Sequence, residues 1–139
     1  MRRTLTITSE PHNLCTVRRL VDAFARGCGL EAKETELVVL GLDEACSNII
    51  RHAYEGRPGQ RIKLVCDKLS GRLRFRLRDF GRPCDPSLLS TKLQERPLNC
   101  LRSGGLGLHF IRKAFDEIHF RPQEDGTELI LVKVLNSRN

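Results

Sequence analysis

A stretch of strict alternation constrains the fold of this chain more than any other feature. Residues 72–79 read Arg-Leu-Arg-Phe-Arg-Leu-Arg-Asp. Successive side chains of a β-strand point to opposite faces, so the pattern predicts a strand with four arginines outward and its apolar side chains inward. Asp79 shares the parity of the apolar residues and is therefore expected to point inward as well. The preceding Ser70-Gly71 predicts a tight turn that joins this strand to one at 61–68 in a hairpin.

Apolar spacing and turn residues predict the remaining elements. Further strands are expected at 4–8, from 118–120 onward and at 128–135, where Asp125-Gly126 supplies the turn. A first helix is expected to start near Ser9 or Asn13 and to end at Gly27 and Gly29. A second helix is expected to begin after Leu30 and to run to about Tyr54. The buried side of the second helix is predicted to comprise Leu37, Val38, Leu40, Ala45, Ile49 and Ala53.

The order of elements predicts the fold class. Residues 80–103 are expected to form a long loop of the kind used as a lid or binding loop, with one short helical turn at 87–92, before a third helix. Hairpins with helices between them predict an α+β fold, a two-layer α/β sandwich whose mostly antiparallel mixed sheet carries its helices on one face. We expect a single domain spanning 1–139.

Composition narrows the classes of function. The net charge is +7, yet the basic residues are spread along the chain and aromatic residues are few, so direct nucleic-acid binding is not expected. A polyanionic small ligand or an acidic protein partner explains the charge equally well. With no long apolar run and no signal-like start, we expect a cytoplasmic protein that does not enter a membrane. The six cysteines lack metal-ligand spacing and are expected to be small buried or semi-buried side chains.

Three polar residues of the second predicted helix lie on one edge. Glu44, Asn48 and His52 are four apart and fall within about 80° of one another, at the border of the apolar face. A carboxylate can accept a proton and an amide oxygen can bind a hard cation such as Mg²⁺, so the group suits metal and water handling. The alternative is a solvated helix edge whose histidine bonds to the backbone.

Two further segments point to a ligand. An inward carboxylate at Asp79 needs a partner and could accept the exocyclic amine of an adenine, with Gly81 permitting close approach; the alternative is a structural cap for the loop. Gly104, Gly105 and Gly107 stand where a loop becomes a helix, and the N–H groups of a helix start suit phosphate. There the alternative is a tight loop before a packing helix.

These segments together resemble a known family. The order Glu44-x-x-x-Asn48, Asp79-x-Gly81-x-Pro83 and 104–108 (Gly-Gly-Leu-Gly-Leu) is similar to the GHKL, or Bergerat-fold, ATPases. Residues 43–54 and the proline at position 83, where the wider superfamily has glycine, more closely resemble the anti-sigma-factor serine kinases of the RsbW and SpoIIAB type. The resemblance spans nearly the whole chain, although the lid segment is poor in glycine.

The resemblance implies ATP and Mg²⁺ as cofactors and assigns roles to residues. Glu44 would be the general base and Asn48 the Mg²⁺ ligand, while Asp79 and Gly81 would hold the adenine. Arg102, just before the glycines, could neutralise the γ-phosphate. The positions expected to contact the nucleotide are Asn48, His52, Asp79, Gly81, Pro83, Arg102, Gly104, Gly105, Leu106, Gly107, Leu108 and Thr127.

The same resemblance implies an activity and partners. It implies a serine/threonine protein kinase that phosphorylates a STAS-type anti-sigma-factor antagonist, with a second role in holding a sigma factor inactive. Members of the family are commonly dimers, so a homodimer is an expectation. Two alternatives stay open, an ATP-dependent module that sequesters its partner without phosphorylating it, and a basic nucleic-acid binder. No P-loop and no dinucleotide fingerprint is present, and a chain this short lacks the eukaryotic-type kinase fold that Asp79-Phe80-Gly81 suggests.

Overall fold

The computed structural model describes residues 1–81 and 106–135, with 106–109 described by their backbone alone. A five-stranded sheet in the order β1-β2-β3-β5-β4 forms one layer, and every pairing within it is antiparallel. The strands are β1 (Arg2–Thr8), β2 (Arg61–Leu69), β3 (Arg72–Asp79), β4 (Glu117–Gln123) and β5 (Gly126–Val134). This confirms the predicted α+β class.

Helices form the second layer. They are α1 (Leu14–Gly27), α2 (Ala32–Asn48) and α3 (Leu106–Ala114), and α2 packs against both of the others. A 3-10 turn at Pro11–Asn13 precedes α1, and the Asn13 amide donates to the carbonyl of Thr8 at 3.1 Å. Thus the first helix starts after Asn13, one of the two positions predicted from the sequence.

The core lies between the layers and is tied together by three aromatic rings. Phe75, on the inward face of β3, makes edge-to-face contacts with Phe24 of α1 and with Phe115 just after α3, each with ring centroids 5.9 Å apart. All three side chains are buried. Burial of such rings, with their favoured geometry, stabilises the fold by more than area alone.

The strand predicted at 72–79 has the expected faces. Leu73, Phe75 and Leu77 are fully buried, and Asp79 is buried beside them, whereas the alternate arginines lie on the opposite side of the sheet. We call that opposite side, away from the helices, the outer face. The turn residue Gly71 has φ +69°, a conformation that favours glycine, and the predicted hairpin is confirmed.

The second helix differs from its prediction in two ways. Leu40 was predicted to be buried and is 46% exposed, because the helix turns Gly41 rather than Leu40 toward α3. A Cβ at Gly41 would lie 2.8 Å from the ring of Phe115, so glycine allows the close helix contact. The regular helix also ends at Asn48, and Ile49–Ala53 continue as a π-helical turn, a wider geometry often found at functional sites.

The remaining elements agree closely with the sequence. β4 begins at Glu117 and β5 ends at Val134. Of the cysteines in the described ranges, Cys28, Cys46 and Cys66 are buried and Cys15 is exposed. Burial raises the pKa of the Cys46 and Cys66 thiols to about 12, so both are protonated at neutral pH. The predicted loop at 80–103 and its helical turn lie, beyond Gly81, outside the described residues.

Candidate functional site

Asp79 is the buried carboxylate around which the candidate site is arranged. It ends β3 on the inward face with 4% of its surface exposed, and its Oδ1 accepts the backbone N–H of Gly81 at 3.0 Å. Burial raises the pKa of Asp79 above its ordinary 3.8, and the N–H of Gly81, the charge of Arg78 and the N–H of Thr127 offset part of that shift. A carboxylate so placed retains capacity to accept a further donor from a ligand.

Gly81 lies against the end of the helix that carries Glu44 and Asn48. A Cβ at this position would be 2.5 Å from the carbonyl oxygen of Ala53 and 2.7 Å from the ring of Tyr54. No side chain fits there without movement of the backbone. The contact joins the two predicted motif segments in space, and glycine is required by close approach rather than by its φ angle.

The hydroxyl of Tyr54 fastens this junction. Tyr54 is buried, and its hydroxyl accepts the backbone N–H of Phe80 at 2.7 Å while donating to the carbonyl of Arg61. The hydroxyl therefore links the end of the π-helical turn to the starts of β2 and of the segment after β3. Tyr54 was not predicted as a site residue, although it is the last residue of the stretch 43–54 that carries the family resemblance.

Thr127, which the family resemblance predicts to lie near the nucleotide, is next to Asp79 in the sheet. The two residues are direct partners in the β3–β5 register, and Thr127 is buried. The preceding Gly126 has φ +141°, and a Cβ there would lie 2.1 Å from the carbonyl oxygen of Asp79. A larger residue at 126 would push Thr127 away, so this glycine positions the pair.

Glu44 and Asn48 also lie together, and Arg51 bridges them. The Nη2 atom of Arg51 donates to Oε2 of Glu44 at 2.9 Å and to Oδ1 of Asn48 at 3.1 Å. Residues three and seven positions apart share one helix face, so the spacing of Arg51 from these two residues carried the signal for this contact. Sequence reasoning did not use it.

Asn48 fits the expected role of a metal ligand. It is buried, with its Oδ1 held toward the polar edge by Arg51, and its Nδ2 has no hydrogen-bond partner among the described residues. Within 1–81 and 106–135, no group of three or more His, Cys, Asp and Glu side chains is placed to hold a metal ion. An amide oxygen such as Oδ1 of Asn48 is a ligand type that Mg²⁺ accepts.

The structure says less about the other residues that were predicted to contact the nucleotide. His52 is exposed in the π-helical turn and has no hydrogen-bond partner in the described part of the chain. Leu106, Gly107 and Leu108 open α3, but only their backbone is described. Pro83, Arg102, Gly104 and Gly105 lie outside the described residues. The structure thus brings Asp79, Gly81 and Thr127 together and joins them to the helix that bears Glu44 and Asn48.

A cation-π sandwich lies beside the site and was not predicted. The guanidiniums of Arg61 and Arg78 lie 4.2 and 4.3 Å from the ring centroid of Phe80. Such contacts hold an aromatic ring at a defined position. Phe80 separates Asp79 from Gly81 in sequence, so the sandwich stabilises the segment that carries both.

Comparison with known proteins decides the family. The family model described as the histidine kinase-like ATPase domain matches residues 7–133. The chain belongs to this family. The family predicted from the motif order is thereby confirmed, and the antiparallel sheet with its helical layer is the fold expected of this ATPase domain.

Individual relatives of this ATPase domain are named as kinases. This chain is 28% identical over 128 residues to the serine-protein kinase RsbW of Bacillus cereus (strain G9842), and the match covers 89% of this chain and 79% of that protein. It is 25% identical over 135 residues to the serine-protein kinase RsbW of Halalkalibacterium halodurans, covering 94% of this chain and 82% of that protein.

A solved structure agrees in fold. The structure of the RsbU and RsbW domains of Rv1364c from Mycobacterium tuberculosis superposes with a TM-score of 0.69 at 16% identity. The match covers 97% of this ATPase domain and 32% of that longer chain. Separately, no helix in the described ranges has the length and apolar character needed to cross a membrane.

Proposed function

We propose that this chain is an ATP-dependent serine/threonine protein kinase of the anti-sigma-factor type. The observation that carries the proposal is the inward, buried carboxylate of Asp79, held by backbone N–H groups and joined through Gly81 to the helix bearing Glu44 and Asn48. A carboxylate in this environment needs a donor, and the exocyclic amine of adenine is one. The similarity to proteins named serine-protein kinase RsbW supports the activity.

The reaction is transfer of the γ-phosphoryl group to a serine or threonine hydroxyl. The new bond forms between phosphorus and the hydroxyl oxygen, the bond to the β-phosphate oxygen breaks, and ADP leaves. Glu44 accepts the hydroxyl proton as attack proceeds. Positioning and neutralisation of charge supply most of the rate enhancement in such transfers, so the carboxylate has an assisting role.

Asn48 and the glycines at 104, 105 and 107 would complete the nucleotide site. Asn48 would hold Mg²⁺, which when bound neutralises charge on the phosphates. The N–H groups at the start of α3 would face the phosphates, with Arg102 beside them. His52, Pro83, Leu106 and Leu108 remain proposed contacts at the edges of the site, and Thr127 would contact the nucleotide beside Asp79.

The proposed partners follow from the same class. The hydroxyl would belong to a STAS-type anti-sigma-factor antagonist, and a sigma factor would be the protein held inactive. We propose a cytoplasmic location, where ATP and both partners are found, and a homodimer as the working assembly.

A second function is favoured by one specific contact. Arg51 donates to Glu44 at 2.9 Å, so the carboxylate already has a partner other than a substrate hydroxyl, and the second function is the case in which Glu44 serves no phosphoryl transfer. In that case the chain would bind ATP and sequester its partner without phosphorylating it. The two functions share the nucleotide site and differ only in transfer.

A single-turnover assay with γ-labelled ATP and a candidate antagonist separates the two functions. Glu44→Gln keeps the shape but removes basicity, and we expect it to slow transfer by about 10²–10⁴-fold with ATP affinity near wild type. Glu36→Gln, an exposed position on the same helix, is the matched control and should transfer at the wild-type rate. Wild-type protein that binds ATP and partner but never transfers phosphate would establish sequestration instead.

A further inference from the structure

The outer face of the sheet contains a cleft lined mainly by basic side chains. Its volume is about 270 Å³, and its walls carry four cations, one carboxylate and two uncharged residues. These are Arg2, Lys63, Arg76 and Arg78, then Glu128, then Thr4 and Val65. The strand register explains the grouping, since Thr4, Val65 and Arg76 lie side by side across β1, β2 and β3, with Lys63 and Arg78 paired in the next row.

A buried carboxylate organises two of the four cations. Asp67 is 4% exposed although it belongs to the outer face, and it pairs with Arg2 at 2.6 Å, Arg74 at 2.9 Å and Arg76 at 3.3 Å. Burial opposes its charge, but the guanidiniums of Arg2 and Arg74 hold the pKa of Asp67 below its ordinary 3.8. Asp67 is therefore ionised at neutral pH and keeps the arginines in place beside the cleft.

The other two cations differ in their surroundings. Lys63 makes no ion pair within the described ranges, although it lies directly opposite Arg78 in the sheet. Like charges on facing strands are unfavourable unless an anion lies between them. Arg78 pairs with the exposed carboxylate of Asp125 and lies opposite Glu128 in the sheet, so among the described residues Lys63 is the cation of this row that has no ion pair.

We propose that this cleft binds a small ligand that carries two or three linked phosphoryl groups. Arg2 and Arg76 share Asp67, and Arg78 pairs with Asp125, but within the described residues Lys63 has no ion pair and Nε of Arg76 has no hydrogen-bond partner, so the cleft of about 270 Å³ keeps cationic donors for a small anion. Linked phosphoryl groups provide several negative charges in a small volume, whereas the carboxylates of an extended acidic peptide are spaced by about 7 Å on each face. Guanidinium forks also match the geometry of phosphoryl oxygens, and arginine supplies three of the four cations.

Arg78 connects the cleft to the site on the other side of the sheet. It donates to the carbonyl of Asp79, pairs with Asp125 in the β4–β5 turn and stacks on Phe80 at 4.3 Å. A phosphoryl ligand that draws on Arg78 would compete with Asp125 and loosen the end of β3. Binding in the cleft is therefore coupled to nucleotide binding at Asp79. This coupling rests on the proposed function, whereas binding in the cleft itself does not.

A calorimetric titration with inorganic tripolyphosphate tests whether the cleft binds such a ligand. Lys63→Ala should lower the affinity about fivefold or more. Arg72→Ala removes one charge from the same face outside the cleft, where Arg72 pairs with Glu117, and should change the affinity less than about twofold. Arg76→Ala should also weaken binding; if loss of its contact with Asp67 unfolds that variant, Lys63→Ala still tests the site. Equal losses in Lys63→Ala and Arg72→Ala, or no binding to wild type, would overturn the proposal.

Three further experiments identify the source of the ligand and distinguish the cleft from the nucleotide site. Arg102→Ala, at the position proposed to face the phosphates of the nucleotide, should leave tripolyphosphate affinity unchanged, and a parallel loss would mean that the probe occupies the nucleotide site. A nucleoside triphosphate that displaces tripolyphosphate from Asp79→Asn protein identifies a nucleotide as the source, and failure to displace it leaves inorganic polyphosphate. A heptaglutamate peptide that binds as tightly as tripolyphosphate would overturn the assignment in favour of an acidic protein segment.

The coupling is tested by titrating ATP with and without saturating tripolyphosphate. We expect a change in ATP affinity of about threefold or more, and ATP must change tripolyphosphate affinity by the same factor. Arg78→Ala should abolish the effect. If the protein binds tripolyphosphate but does not bind ATP, the proposed function is refuted and the cleft site is still supported. If tripolyphosphate does not change ATP affinity, the coupling is refuted.

Discussion

The guanidinium of Arg51 lies 2.9 Å from a carboxylate oxygen of Glu44, and the same nitrogen donates to Asn48 at 3.1 Å. A side-chain cation thus occupies the polar edge where the proposed base and the proposed metal ligand meet. Any Mg²⁺ that binds Oδ1 of Asn48 has to displace or share this donor. Arg51 is therefore expected to set the metal requirement of nucleotide binding.

Removal of Arg51 tests that expectation. Arg51→Ala should lower the Mg²⁺ concentration for half-maximal ATP binding by about two- to fivefold, the scale of one exposed charged contact. Nucleotide binding titrated against Mg²⁺ measures it, with Arg26→Ala, which removes an exposed pair with Asp22 on α1, as control. A higher Mg²⁺ requirement in Arg51→Ala would show that the guanidinium supports the site instead of competing for it.

Asn48 provides the complementary measurement. Asn48→Ala should weaken ATP binding in the presence of Mg²⁺ and change binding in EDTA much less, because the amide oxygen contributes through the metal. Titrations under both conditions give the comparison. Equal losses would mean that buried Asn48 has a structural role.

Asp79 should control ATP affinity in a pH-dependent manner. Asp79→Asn should weaken binding by about 1.5–3 kcal/mol, as loss of a charged hydrogen bond. Because burial raises the pKa of Asp79 above 3.8, wild-type affinity should begin to fall on acidification above that value, as the carboxylate takes up a proton. Calorimetry from pH 7 downward measures this, and an affinity of Asp79→Asn equal to wild type at pH 7 would contradict the adenine assignment.

Gly81 should tolerate no side chain. Gly81→Ala would place a Cβ 2.5 Å from the carbonyl oxygen of Ala53, and we expect a loss of about 1–3 kcal/mol in unfolding free energy together with weaker ATP binding. Denaturant titration and calorimetry provide the two readouts. Gly27→Ala, with nothing within 4 Å of the added atom, is the control and should be close to neutral. Wild-type stability in Gly81→Ala would show that the junction can relax.

Asp67 should stabilise the outer face only when ionised. Its pKa is held below 3.8 in the folded state, so its contribution is fully present above about that pH and is lost as pH falls through the folded value. Asp67→Asn should reduce the unfolding free energy at pH 7 by about 1–3 kcal/mol, since three guanidiniums lose their carboxylate. Denaturation at pH 7 and near pH 3 should show the difference shrinking on acidification, and a constant difference would exclude the ionic mechanism.

Sequence reasoning reached the fold because its main signals are local. Alternation at 72–79 sets the two faces of β3, and Gly71 supplies the turn, so the central hairpin and the inward Asp79 were predictable. The family resemblance then predicted that Glu44, Asn48, Gly81 and Thr127 belong to one nucleotide site, which stays a prediction. In each case a few neighbouring residues carry the information.

Other features depend on contacts between distant segments. Leu40 and Gly41 both fit a helical pattern, and only the approach of α3 decides that Gly41 faces it while Leu40 stays exposed. The π-helical turn at 49–53 has the same sequence period as the helix before it, so no local signal marks the change.

The amino-acid sequence by itself determined the strand faces, the turns, the family and the residue types available for chemistry. The tertiary structure alone decided that Gly81 lies against Ala53 and Tyr54 and that Asp67 gathers arginines from two strands on the outer face. Periodicity reports which way a side chain points within its own element. Which groups then share a buried space is set by the packing of one element on another, because desolvation and close approach arise only between surfaces that meet.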